Sequence, residues 1–232
     1  FIFADNQVIV VVGQDGLVAN TAKYVGRRPL VAVNPDPDRY DGQLLPFRAD
    51  TCRAAVQQVL AGKPHTRAVG LAEVRLHDGQ RLLAFNDLFV GAASHVSARY
   101  RVLFGGQQEE HSSSGIIVST PAGATGWLSS IFNMSAGVED FAGGLGRPNA
   151  YPRPGEGELL FVVREPFRSR RTQCGLVAGR VSAAAPLVVE SRMPAGGVIF
   201  SDGIETDFLH FNAGAVATIG PAPEQARLVM PG

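Results

Sequence analysis

Residues able to do chemistry gather in two short stretches. The first, Gly13-Gln14-Asp15-Gly16, follows the β-branched run Val8–Val12 and precedes a helix-compatible segment over 17–25. A glycine turn between a strand and a helix offers backbone N–H groups and a helix N-terminus to phosphate. The tetrapeptide is neither a Walker loop ending in Gly-Lys-Ser/Thr nor a Gly-x-Gly-x-x-Gly dinucleotide fingerprint. Its informative member is Asp15. A carboxylate beside phosphates repels them unless it binds metal or takes a proton from a hydroxyl, so Asp15 is a candidate general base in phosphoryl transfer. The plainer reading makes Asp15 the cap of the helix that begins before Leu17. The second stretch runs from Ser113-Ser114-Gly115 through Ile116-Ile117-Val118-Ser119-Thr120 into Pro121-Ala122-Gly123-Ala124-Thr125-Gly126-Trp127. Small residues let a ligand approach the backbone closely, and hydroxyls with free N–H groups can read a base edge. The plainer reading here is a loop that caps a helix starting near Gly123.

Both stretches need a scaffold, and the rest of the chain supplies its outline. The strand at 8–12 reads as buried; a second strand over 30–33 is stopped by Asn34-Pro35-Asp36-Pro37, and a helix over 49–60 carries Ala54, Val56, Val59 and Leu60 at helical spacing. Alternating strands and helices imply a parallel sheet with helices on its faces. After Pro64 the pattern changes: segments 68–76 and 81–90 flank Asp78-Gly79, a strong hairpin signal. Further strands are expected at 98–104, 115–120, 158–163, 175–181, 187–191, 197–201 and 215–219, with 141–157 an exposed Gly/Pro-rich loop. The expected fold class is therefore α/β plus all-β. A Rossmann-like α/β domain covers 1–64, a segment of about 205–232 returns to it, and a β-sandwich-like domain covers 65–204. A ligand cleft is expected between the domains.

Composition narrows the field. The 232 residues hold 21 Lys+Arg against 21 Asp+Glu. A neutral chain has no electrostatic excess to hold a nucleic-acid backbone or an anionic membrane by bulk charge, so neither is expected as a partner. No apolar run approaches the ~20 residues that span a bilayer. Cys52 and Cys174 make neither a disulfide framework nor a zinc spacing, and the five histidines show no ligand spacing. No protein metal site is assigned. The basic cluster Arg164-Glu165-Pro166-Phe167-Arg168-Ser169-Arg170-Arg171 either meets phosphates of a ligand or is a solvated loop.

Four marks taken together resemble the NAD kinase family: Gly13-Gln14-Asp15-Gly16, Asn86-Asp87, the run Thr120 to Trp127, and Asp202-Gly203, in family order. The stretch Asn34 to Pro46 looks like the mitochondrial-type branch of that family. The similarity extends over nearly the whole chain except the family's first strand and helix, in keeping with a start at Phe1 that suggests a missing first unit. The resemblance implies transfer of the γ-phosphoryl group of ATP, with Mg²⁺, to the 2′-hydroxyl of the adenosine ribose of NAD. It implies Asp15 as the base, Gly13 and Gly16 in the phosphate turn, and Asn86 and Asp87 on the dinucleotide. Thr125 would contact the adenine with Gly126 beside it through its backbone, Thr120 and Trp127 would belong to the same binding run with Trp127 as a ligand-facing wall, and Asp202 and Gly203 would lie near the phosphates, chiefly in a structural role. A cytoplasmic homodimer or homotetramer is implied as well, or a mitochondrial one in a eukaryote.

The chain departs from the family pattern at several positions. Gln14 replaces a glycine, so its Cβ is expected to restrict a left-handed backbone and narrow the approach to phosphates. Asp87 shortens the usual Glu, moving the carboxylate on the order of 1 Å, a gap that a water can bridge. Ser114 stands for an Asp, Ala122 for a hydroxyl residue and Trp127 for a Tyr. Two other readings are kept: a non-catalytic NAD(P)(H)-binding regulator, and a diacylglycerol-type lipid kinase, which shares the glycine loop and needs neither Asn86-Asp87 nor the 120–127 run.

Overall fold

In the computed structural model, residues 3–4, 7–40, 42–144 and 150–232 are described. Part of the expected 141–157 loop, residues 145–149, lies outside them. The chain divides into two compact units, Phe1–Leu71 with Ala222–Gly232, and Ala72–Pro221.

The first unit is a small parallel sheet with helices. Strand β1 (Ile9–Val12) pairs in parallel with β2 (Pro29–Asn34), which pairs in parallel with the short β3 (Phe47–Arg48) and, at Pro29 and Leu30, with Arg227 and Leu228 of β15 (Val216–Val229). Helix α1 spans Asp15–Ala22 and α2 spans Cys52–Leu60. The α2 helix begins later than its apolar periodicity suggests because Ala49–Thr51 form a turn, in which Thr51 N–H donates to the Arg48 carbonyl at 3.1 Å. Val31, Val33 and Phe47 pack with Ala55 and Val229 to make this unit's core. Strand β1 is not buried on both faces as its β-branched run suggests: Ile9 and Val11 point inward while Val10 and Val12 are exposed.

The second unit is a β-sandwich. One sheet has the order β11 (Ala178–Val181), β10 (Leu159–Val163), β9 (Ile116–Ser119), β6 (Asp87–Ala92), β13 (Gly197–Ser201), β14 (Ile204–His210). The other places β12 (Leu187–Ser191) between β15 and β7 (Ala98–Phe104), with β8 (Gln107–Ser113) beside β7; β4 (Thr66–Leu76) pairs with β5 (Arg81–Ala84) and β15. Alternation along the strands divides the burial. Leu88, Val90, Ile116, Val118, Leu159 and Phe161 face the other sheet. Phe89, Ile117, Leu160 and Val162 face helix α3 (Trp127–Phe141) through Leu128 and Ile131. The sheet is therefore covered on both faces, and its strands read as unbroken apolar runs although they are antiparallel.

Two elements escape the sequence pattern. Strand β8 is Gln-Gln-Glu-Glu-His-Ser-Ser, with no apolar alternation, yet it pairs with β7 at seven positions beyond Gly105-Gly106, whose φ values of 58° and 77° make a hairpin turn. Strand β14 follows Asp202-Gly203, with φ of 54° and 71°, in the same manner. Helix α3 bears out the plainer reading of a helix near Gly123, although it begins at Trp127; a 3-10 turn over Gly123–Thr125 leads into it.

Phe161 is fully buried between the sheets and meets Phe104 edge-on at 5.1 Å. Replacing it with Ala should cost about 3–5 kcal/mol, read as a lower urea midpoint with an unchanged slope.

Candidate functional site

In the first unit, Gly13-Gln14-Asp15-Gly16 occupies the carboxyl end of β1, the edge at which open parallel sheets receive ligands. Gln14 has φ −87° and ψ 165°, an extended conformation open to any residue, so the restriction expected from its Cβ does not arise. Asp15 is the first helical residue and Gln14 holds the cap position without a side-chain cap bond. The capping reading of Asp15 therefore gives way to a different role for its carboxylate: Oδ1 accepts the Leu44 N–H at 2.7 Å. That amide sits on the 34–46 loop, which Asn34 braces by accepting Asp36 N–H at 3.0 Å and donating to the Tyr40 carbonyl at 3.0 Å. The Asn-Pro-Asp-Pro stretch thus has a mechanical purpose, which is to hold the segment that orients Asp15. A negative charge in the first turn is also favoured by the helix dipole. Nothing lies within 4 Å of a Cβ placed on Gly16, so the turn is open there.

In the second unit, the structure brings Asn86, Asp87, Thr120 and Asp202 together. The expected strand 81–90 is broken at Phe85-Asn86, and the reason is Asp202. Its carboxylate accepts three consecutive amides: Phe85 N–H on Oδ2 at 3.1 Å, Asn86 N–H on Oδ1 at 2.7 Å and Asp87 N–H on Oδ1 at 3.4 Å. The Asp202 amide donates back to the Asp87 carbonyl at 3.0 Å. From the other side, Thr120 Oγ1 donates to the Phe85 carbonyl at 2.6 Å, and Thr120 N–H donates to the Asn86 carbonyl at 2.8 Å. Gly123 N–H then donates to Thr120 Oγ1 at 3.2 Å. A Cβ on Gly123 would run into the Asn86 carbonyl, so only glycine fits. Sequence reasoning left Gly123 out of the site, although it lies inside the run of small residues. Gly203 completes the β13–β14 turn that aims Asp202.

Asp87 is buried beside this charge. Burial first, and the Asp202 carboxylate second, raise its pKa from 3.8 to about 7. The group is poised between donor and acceptor near neutrality.

Two residues further along β6, Phe89 stacks in parallel with Trp127 at 5.8 Å and meets Phe200 at 4.8 Å. The Arg164 guanidinium stands over the Trp127 ring at 5.2 Å. These side chains, with Ser114, line a cleft of about 830 Å³, and Ser114 Oγ donates to Glu165. Phe89 and Phe200 were not singled out from the sequence; the period of two from Asp87 was the signal for Phe89. Thr125 and Gly126 are exposed at the start of α3, their carbonyls accepting Ser129 Oγ at 2.7 and 2.8 Å. The expected strand into this region is found at Ile116–Ser119, and Trp127 is the first residue of helix α3 beyond the small-residue loop.

The fold defined by these elements is NAD kinase-like. Among solved structures it is similar to that of yeast NADH kinase complexed with NADH, with a TM-score of 0.66 and 16% identity over 97% of this chain and 62% of that one. This chain thus spans about three fifths of the yeast protein's length. No family model and no curated protein sequence matches it. No helix among the described residues is long and apolar enough to cross a membrane.

The raised Asp87 pKa has a sign for stability. Between about pH 4 and pH 7 the unfolded chain has lost this proton and the folded chain keeps it, so the contribution of Asp87 declines across that window. Urea titrations at steps from pH 4 to 7.5 should show this decline in the wild type and a flatter profile in Asp87→Asn. In Asp202→Asn, the Asp87 carboxyl should titrate at lower pH by ¹³C NMR; an unmoved midpoint would remove Asp202 as a cause.

Proposed function

We propose that the chain is an NAD kinase, transferring the γ-phosphoryl group of ATP to the 2′-hydroxyl of the adenosine ribose of NAD to give NADP. The observation that carries this reading is the junction of Asn86-Asp87, Thr120 and Asp202, three separate stretches of sequence tied by hydrogen bonds from the Asp202 carboxylate and the Thr120 hydroxyl and amide to the 85–87 backbone. A structural network alone would need only backbone groups, the Thr120 hydroxyl and Asp202. It would not need the half-buried Asn86 side chain or a carboxyl held near neutrality at Asp87. The likeness of the fold to a kinase of a nicotinamide dinucleotide supports the same reading.

In the proposed reaction the amides of the 13–16 turn and the N-terminus of α1 receive donor phosphates. Asn86 and Asp87 hold the dinucleotide by hydrogen bonds, and Trp127 offers a stacking wall near its base. Asp15 takes the 2′-hydroxyl proton on the carboxylate oxygen that Leu44 does not use, as the hydroxyl oxygen attacks the γ-phosphorus, the bond to the β,γ-bridging oxygen breaks and ADP leaves. A Mg²⁺ would be carried largely on the donor's phosphate oxygens, as suits an ion that keeps few protein ligands. Bound there, that cation would neutralise charge on the transferring group.

Incubation of the protein with NAD, ATP and Mg²⁺, coupled to an NADP-specific dehydrogenase, should produce signal only when all are present. Asp15→Asn should keep the fold and slow turnover by on the order of 10²-fold or more. Dinucleotide binding by calorimetry with no NADP formed would instead indicate a regulator, and binding of neither NAD nor NADP would point to a lipid kinase.

A further inference from the structure

The proposed reaction makes no use of Arg168, Arg170 and Arg171, which lie on the connection between β10 and β11. That connection is sewn along β8. Phe167 N–H donates to the Ser112 carbonyl at 2.8 Å, Gln173 N–H to the Glu110 carbonyl at 3.0 Å, and the amides of Gly175 and Leu176 to Glu109 Oε2 at 2.9 and 2.8 Å. Inside the loop, Ser169 Oγ accepts the amides of Arg171 and Thr172 at 3.1 and 3.2 Å, and Thr172 Oγ1 donates to the Phe167 carbonyl at 2.6 Å. The loop is therefore shaped by the protein's own bonds. It walls a cleft of about 420 Å³ whose other sides include Arg99, His111 and Arg192.

Charge in this cleft does not balance. Glu110 on its wall is met by Arg101 at 2.7 Å and Arg192 at 3.6 Å, and Glu190 by the same two at 3.5 and 3.0 Å. Those four residues neutralise one another. Arg99 and Arg171, from two different elements, have no carboxylate partner among the described residues. Beside them His111, its side chain fully buried, stacks on Tyr100 at 5.7 Å with neither ring nitrogen hydrogen-bonded. Glu109 Oε2 lies 3.3 Å from Nε2, but that oxygen already serves the two amides of the loop. Burial pulls the imidazole pKa down against the pull of Glu109.

We propose that this cleft binds a phosphate-bearing small molecule, with the dianionic phosphate between Arg99 and Arg171 and the organic part against Phe167. Two guanidinium forks match the charge of a dianionic phosphate, which a single carboxylate would balance only by half. The volume falls in the range of small-molecule sites. The cleft shares no lining residue with the aromatic cleft around Trp127, so it is a second site.

The test is a titration of the ¹⁵N-labelled full chain with inorganic phosphate and with phenyl phosphate at constant ionic strength. Saturable shifts are expected at the amides of His111 and residues 169–172, with phenyl phosphate the tighter ligand. Arg99→Gln and Arg171→Gln should each weaken binding by about tenfold or more, the loss expected for one charge-assisted hydrogen bond. Both side chains are exposed, so the fold should survive, and an unchanged spectrum elsewhere will show it. Arg171→Lys should retain part of the affinity. Shifts confined to residues 13–16, no saturable shift at all, or equal affinity in the R99Q/R171Q double variant would overturn the proposal.

Discussion

One carboxylate determines the arrangement around Asn86. A strand that ends inside a protein exposes consecutive amides to a place where water cannot answer them, and each such amide left unmet costs about 1–3 kcal/mol. Asp202 answers three in a row. It does so from a two-residue turn in which both residues adopt positive φ, so the geometry of a hairpin on one strand pair is converted into the ending of another. The break between β5 and β6 is thus imposed from outside those strands. It leaves Asn86 outside regular pairing, with its side chain half-buried. The same charge then acts on its neighbour, since holding three amides places a carboxylate where Asp87 cannot easily ionise.

Around this junction the sandwich provides stiffness. Strands β6, β9, β10 and β13 are packed on one face by the opposite sheet and on the other by α3, so each residue of Ile116–Val118 and Leu159–Val163 is held from one side or the other. Parity decides what each position does. On β6, odd positions carry Asp87 and Phe89 and even positions carry Leu88 and Val90 into the core. A slip of one residue would exchange chemistry for core, which is why such a strand has a single register.

Local signals were legible in the sequence where one residue type sufficed. The 13–16 turn follows from its glycines, the hairpin at Asp78-Gly79 from its dipeptide, and the closeness of Thr120 to its partners was implied by a family resemblance. Long-range partners were not. Nothing in Leu44 announces that its amide will meet Asp15 29 residues away, because any residue has an amide. The break at Phe85 is invisible in a run that alternates well, since its cause lies 117 residues downstream. Strand β8 was hidden for another reason: seven polar residues form it through pairing with β7, and pairing leaves no mark on composition. Helix α3 was legible as the helix that the small-residue loop caps, and only its start, at Trp127 after a 3-10 turn, was not.

Trp127 is the chain's single tryptophan. Its indole lies between the face of Phe89 and the guanidinium of Arg164, at the first turn of α3. Every photon of tryptophan emission from this protein therefore originates at one address. The cation above the ring and the half-shielded setting tune its wavelength, so intrinsic fluorescence is a spectroscopic gauge of the aromatic cleft, with no background from elsewhere in the chain.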